Sequence, residues 1–259
     1  MSALVHVEVD TPIATVRFDG PERHNVLDVD GWVAVAAAFR EISAIDEVRC
    51  IAVRGTGGRA FSAGSDIRAF DTQRSTPEDV RIYSDAIAAA MYAIRVCRHP
   101  TVALIEGLCV GGGLEIAACC DLRVCGESSL FGAPINRLGL TMSHEELEPL
   151  VRLLGAAPVL EILLTGDLIN AERAQQCGLV NRVHPDAAVV EHGYGLVARI
   201  ATGAPLVNRW HKKFVRRVLE RRPVRDTERD EAQEAFETED YLEGRRAFLE
   251  KRDPDFRGH

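Results

Sequence analysis

The stretch Gly107-Leu108-Cys109-Val110-Gly111-Gly112-Gly113-Leu114-Glu115 places one carboxylate just past a triple glycine, and residues 107–120 hold no other charge. The apolar, glycine-rich run reads as a strand-to-helix junction. A lone carboxylate there costs several kcal/mol to bury, by rough estimate, unless a reaction uses it or hydrogen bonds satisfy it. Glu115 is therefore either a functional acid or a buried acid bonded to backbone. Twenty positions on, a second motif, Phe131-Gly132-Ala133-Pro134-Ile135, ends in a side chain that can neither accept a proton nor orient water.

Outward from the junction the chain repeats one grammar. Val5, Val7 and Val9, then Ile13, Val16 and Phe18, bracket Asp10-Thr11-Pro12, predicting a hairpin that feeds the loop Gly20-Pro21-Glu22-Arg23-His24-Asn25. A helix is predicted from Asp28, its apolar face running through Trp32, Val35, Phe39 and Ile42. A strand over 50–53 precedes Gly55-Thr56-Gly57-Gly58. A helix over 77–97, a strand over 101–105, the glycine junction with a helix to 120, and a strand over 122–125 follow. Strands alternating with helices predict an α/β fold. Further helices are predicted over 143–154, 158–163 and 171–177, the last ended by Gly178, with a final strand over 180–183. From about residue 203 the strand signal stops. Val207, Trp210, Phe214 and Val218 form a helical stripe, Arg221-Arg222-Pro223 breaks it, and an acidic helix leads to Tyr241 and Phe248. The expected organisation is a core over 1–202 and a helical region over 203–259 that packs back or meets another subunit.

Composition narrows the function. The chain has 259 residues, enough for a sizeable core, and 39 acidic against 31 basic residues give a formal charge of -8. No face reads as a sustained basic stripe, so nucleic acid is not an expected partner. The seven cysteines, Cys50, Cys97, Cys109, Cys119, Cys120, Cys125 and Cys177, lie largely in apolar segments without zinc-ligand spacing, and the histidines are scattered. Reduced thiols in a cytoplasmic protein and no metal site are expected. Residues 1–10 lack the pattern of a signal peptide, and no segment approaches the ~20 apolar residues of a membrane helix.

The segment Phe61-Ser62-Ala63-Gly64-Ser65-Asp66-Ile67 taken alone is a turn with a helix cap. The glycine triplet taken alone is close strand–helix packing or a weak phosphate loop, with no dinucleotide or P-loop fingerprint around it. Together they say more. Each follows an apolar strand and can present a backbone N–H at a helix start, and two such donors can hold one oxyanion.

On these motifs the chain resembles the enoyl-CoA hydratase/isomerase, or crotonase, family. The resemblance runs from Pro21-Glu22-Arg23-His24-Asn25-Val26-Leu27 through both glycine segments and Phe131-Gly132-Ala133-Pro134 to Thr165-Gly166, Ala171-Glu172-Arg173-Ala174 and Ala247-Phe248-Leu249-Glu250-Lys251-Arg252. It implies a spiral of ββα units with a C-terminal helical region that builds a homotrimer, often paired into a hexamer as a dimer of trimers. It also implies an acyl-CoA thioester as ligand, its carbonyl gripped by the N–H groups of Ser65 and Gly112. Coenzyme A belongs to the substrate, and no separate cofactor is expected. Hydratases of the family hold a water between two glutamates, at the positions of Glu115 and Ile135; this chain keeps the first only. Arg23, Val26, Ala63, Asp66 and Ile67 match positions lining the CoA. Gly111, Pro134, Ile135 and Ser143 are counted with the substrate-binding positions. Phe248 and Lys251 match tail positions that reach the CoA, in many members from a neighbouring subunit; helix packing and a solvated lysine are the plainer alternatives.

The implied activity is a lyase or isomerase acting on an enoyl-CoA in fatty-acid or related acyl-CoA metabolism, with Glu115 as the main acid/base. The alternatives are a catalytically weak acyl-CoA-binding member, or a thioester decarboxylase or hydrolase. Losing a general acid/base costs about 10²- to 10⁴-fold, so Ile135 puts ordinary hydration in question. Nearby, where the family's usual turn is Gly-rich, this chain reads Met142-Ser143-His144-Glu145-Glu146. It reads as a capping box, Ser143 with Glu146; the functional alternative has His144 or Glu145 replacing the missing carboxylate. Ile135 is also expected to favour alkyl chains over polar acyl groups, and to leave Glu115 without a like-charged neighbour there.

Overall fold

A computed structural model describes residues 2–259; Met1, at the head of the predicted N-terminal strand run, lies outside the described residues. The hairpin forms as β1 (Leu4–Asp10) and β2 (Ile13–Asp19), antiparallel, and α1 (Val29–Ser43) follows. Asp28 caps α1 by accepting from the Gly31 N–H at 3.0 Å, and Trp32, Val35, Phe39 and Ile42 are all buried. Next come β3 (Cys50–Gly55), β4 (Ala60–Ser62), the four-residue α2 (Phe70–Gln73) and α3 (Pro77–Val96). Thr76 and Asp79 close a capping box over Pro77 at the start of α3.

The strand pair and helix then recur: β5 (Thr101–Ile105), β6 (Leu108–Val110) and α4 (Gly112–Cys119), followed by β7 (Leu122–Gly126), β8 (Leu130–Gly132), α5 (His144–Leu154) and α6 (Ala156–Thr165). The chain continues through β9 (Ile169–Asn170), α7 (Ala171–Gln176), β10 (Arg182–His184) and α8 (Val189–Ala201), and ends in α9 (Pro205–Leu219), α10 (Asp226–Glu231) and α11 (Glu239–Glu250). The last long-sheet strand sits two residues beyond its expected start at 180.

Two sheets carry the repeats. The first orders its strands β1-β2-β3-β5-β7-β10, parallel from β2 onward; the second orders them β4-β6-β8-β9, parallel except for the last pair. After the first unit, whose β1 and β2 both join the long sheet, the turns of chain place one strand in the long sheet and one in the short sheet with helices packed against them, which is the expected ββα spiral. Both faces of the long sheet are covered, as parallel sheets require. Ile51, Val53, Ala103 and Ile105 face the main core, while Cys50, Ala52, Val102 and Leu104 alternate to the other face and pack against Leu196, Val197 and Ala201 of α8.

The helical region over 203–259 is tied to the core by ions. Lys212 and Arg216 both reach Asp121, at 2.7 and 2.9 Å, and Arg49 donates to the Phe256 carbonyl at 2.7 Å. The apolar stripe on α9 is only partly covered, with Val218 exposed.

Candidate active site

Parallel pairing of β4, β6 and β8 sets three turns side by side. Ser62 pairs with Cys109 and Val110 with Gly132, and the Gly111 N–H donates to the Gly132 carbonyl at 2.9 Å. Ser65, the Gly111–Gly112 turn, Pro134 and Ile135 therefore emerge from one end of the short sheet, although 70 positions separate Ser65 from Ile135.

The turn after β4 is pinned from both sides. Buried Asn25 accepts from the Gly20 N–H at 3.0 Å and donates to the Ala60 carbonyl at 2.7 Å. Ser62 Oγ donates to the Asn25 carbonyl at 2.8 Å and accepts from the Gly64 N–H at 3.0 Å. Leu27 N–H donates to the Gly64 carbonyl at 2.8 Å, and Asp66 N–H donates to the Leu27 carbonyl at 2.7 Å. That single parallel bridge uses the peptides flanking Ser65 and turns the Ser65 N–H away from Leu27. Sequence reasoning passed over Asn25 and Ser62; a buried amide and hydroxyl beside a glycine turn were the available signal.

Gly111 enters α4 at φ +53°, and Gly112 is the first helical residue, so its N–H has no intrahelical acceptor. The Trp32 ring closes over it, 2.6 Å from where a Cβ on Gly112 would stand. The far end of α4 is held by the buried Arg123 guanidinium, which donates to the Ala117 and Cys120 carbonyls at 3.0 and 2.6 Å and complements the helix dipole.

Glu115 lies in the first turn of α4, 4% exposed, and its Oε2 has no hydrogen-bond partner. Burial pushes its pKa well above the ordinary carboxylate range, the charge of Glu146 adds to the rise, and Arg74 opposes it. Position 135 supplies no like charge, as expected, but one bears on Glu115 from elsewhere, so burial is not the only cause of the rise. Position 135 is apolar, and Ile135 packs against the main core, but α5 brings a carboxylate in from residue 146.

Glu146 is the N3 residue of the α5 capping box, accepting from the Ser143 N–H at 2.5 Å while Ser143 Oγ accepts from the Glu146 N–H at 3.3 Å. His144 and Glu145 are exposed at the same helix start, and bonds to its own backbone N–H and to Ser143 hold the Glu145 pKa low. Both side chains face solvent from the first turn of α5.

The positions matched to CoA contacts gather around the β4 turn, where Arg23 is ion-paired to Asp66. Asp66 also accepts from Ser2 Oγ at 2.9 Å and the Arg68 N–H at 3.1 Å. Burial opposes its ionisation, yet these bonds outweigh it and hold its pKa low. The Asp66 carboxylate is therefore spent on tying the N-terminal segment to the turn. Val26 and Ala63 are half-buried and Ile67 is exposed. Phe248 on α11 is 83% exposed and touches little of its own chain; Lys251 caps that helix in a left-handed conformation.

Residues 8–259 match the enoyl-CoA hydratase/isomerase family model. A crystal structure of an enoyl-CoA hydratase/carnithine racemase from Magnetospirillum magneticum superposes with TM-score 0.96 at 41% identity, covering 98% of this chain and 96% of that one. The carnitinyl-CoA dehydratase of Salmonella typhimurium is 30% identical over 264 residues, covering both chains fully. The crotonyl-CoA hydratase of Syntrophomonas wolfei is 29% identical over 252 residues, 96% of each chain.

Proposed function

The chain belongs to the enoyl-CoA hydratase/isomerase family, and on that premise we propose that it is a lyase or isomerase acting on an enoyl-CoA thioester. The N–H groups of Ser65 and Gly112 are the donors for the thioester oxygen. One belongs to a turn whose neighbouring peptides are already bonded, the other to a helix N-terminus that favours negative charge. Preorganised donors of this kind are each worth about 10² to 10³ in rate, because they stabilise the enolate more than the ground-state carbonyl.

The observation that carries the reading is the unpartnered Glu115 carboxyl one helical turn from Gly112. An orphan buried oxygen costs about 1–3 kcal/mol, a cost that chemistry at the substrate explains and packing does not. With its pKa raised, Glu115 holds a proton to deliver to the enolate carbon and can take one back in the reverse direction. Exposure of His144 and Glu145 argues against routing decarboxylation or hydrolysis through them.

One second reading has its own observation. Ile135 stands where a hydratase holds its other glutamate, so a catalytically weak acyl-CoA-binding protein would keep the donors and lose turnover. Turnover of crotonyl-CoA measured beside binding of a saturated acyl-CoA separates the two: both are expected, and binding without turnover favours the second reading.

The free thiols support a cytoplasmic location; no helix among the described residues is long and apolar enough to cross a membrane. The exposed Val215, Val218, Phe248 and Leu249 support self-association through the helical region, as a trimer or a dimer of trimers.

A further inference from the structure

Arginines packed into this protein are tied down: Arg23 to Asp66, Arg54 to Glu106, Arg95 to Glu148, Arg123 to backbone carbonyls. Arg74 is the departure. It follows α2, and its guanidinium carbon lies 4.3 Å from the Phe70 ring centroid and 4.0 Å from that of Tyr83. The rings meet edge to face at 5.7 Å, and Arg74 rests against both. Its Nε is buried without a partner, and no ion pair engages it among the described residues. Stacking accounts for where the guanidinium lies but not for its unused donors. A planar fork ordered in advance by aromatic faces suits a carboxylate, because less ordering cost remains when the anion arrives.

Arg74 stands beside the candidate reacting groups. The Tyr83 hydroxyl donates to the Leu27 carbonyl at 3.1 Å, and that carbonyl also holds the Asp66 N–H of the Ser65 turn. The Arg74 charge also bears on Glu115. Glu115 Oε2, buried in the first turn of α4, is likewise without a partner. Arg74 Nε and Glu115 Oε2 are thus two buried polar atoms that the protein itself leaves unmet. An alkyl chain would meet neither of them. Neither nearby carboxyl competes for Arg74: Glu115 is held towards its neutral form, and Glu146 is engaged with the Ser143 N–H.

We propose that Arg74 receives a carboxylate at the far end of the acyl group, so that the substrates are short dicarboxylic acyl-CoA thioesters. This rests on the acyl-CoA reading above and reverses the preference for alkyl chains that Ile135 alone suggested.

Glutaryl-CoA and pentanoyl-CoA share a chain length and differ at the terminus, carboxylate against methyl. Both are saturated, so calorimetric binding requires no turnover. Wild-type protein is expected to bind glutaryl-CoA about tenfold or more tightly than pentanoyl-CoA, the scale of one charge-assisted bond. Arg74→Gln and Arg74→Met should remove that preference while leaving pentanoyl-CoA affinity within about threefold, and Arg74→Lys should keep part of it. Equal wild-type affinities, or a preference that survives Arg74→Gln, would overturn the proposal and leave the acyl-CoA reading standing. Failure to bind either ester would overturn both. Should the variants unfold in thermal melts, the wild-type comparison decides alone.

Discussion

Gly64 and Gly112 meet backbone to backbone: a Cβ on Gly64 would stand 2.5 Å from the Gly112 nitrogen, and a Cβ on Gly112 would stand 3.3 Å from Gly64 Cα. No side chain fits between the β4 turn and the first turn of α4, so contact itself sets the spacing of the two candidate donors. Gly64 also sits at φ +85°, where L side chains are strained.

Gly64→Ala is therefore expected to push the Ser65 and Gly112 peptides apart. Turnover should fall by about 10²-fold or more, the worth of one donor, and stability by about 1–3 kcal/mol from strain at that φ. Steady-state kinetics beside urea denaturation reads both quantities. A folded variant with wild-type turnover would remove the two peptides from the catalytic account.

Stability should carry the signature of the neutral Glu115. Its folded pKa is raised, first by burial and then by Glu146, while the unfolded chain ionises it in the ordinary range. The stabilisation from the neutral form is whole below that ordinary range and is lost as pH rises through the folded pKa. Unfolding free energy of wild type minus that of Glu115→Gln should thus decline with rising pH. A difference that stays flat with pH would mean that Glu115 is not buried as a proton holder.

Glu146→Gln tests the like charge without removing the cap, because glutamine also completes the capping box. Taking away that charge lowers the Glu115 pKa. If Glu115 works as an acid, the alkaline limb of the kcat/KM profile should move to lower pH, with little change in unfolding midpoint. An unmoved limb would leave Glu146 as a helix cap and nothing more.

Phe248→Ala combined with Lys251→Ala should weaken acyl-CoA binding, seen by calorimetry, although Phe248 is open to solvent in its own chain. Deleting residues 203–259 should also dissolve the oligomer. Unchanged affinity, or a truncated chain that light scattering still finds trimeric, would contradict the role given to α11.

What the sequence made legible was local. Asp28 before the stripe Trp32, Val35, Phe39, Ile42 announces α1, and Ser143 with Glu146 announces α5, because caps and 3.6-residue periodicity are written within a few positions. The short sheet stayed hidden: β4, β6 and β8 have three residues each, too few for a period-2 signal. Helix α8 was missed where Gly193 and Gly195 lower helix propensity, though Gly193 is there to let the backbone approach Leu104. In the candidate site, Glu115 stood out by its isolation in the chain. Arg74, Tyr83 and Glu146 did not, because their bearing on it arises only when α2, α3 and α5 close around α4.

The most direct test is deuterium exchange at C2 of a saturated acyl-CoA in heavy water, read by mass spectrometry, because it reports enolate formation whatever the full reaction is. Glutaryl-CoA and pentanoyl-CoA serve as the two probes. Wild-type protein is expected to exchange the C2 protons, and Glu115→Gln, nearly isosteric, to exchange them about 10²-fold more slowly or worse at nearly unchanged affinity. Saturating binding with no exchange, or exchange that Glu115→Gln leaves untouched, would contradict an enolate held by the Ser65 and Gly112 peptides and protonated by Glu115.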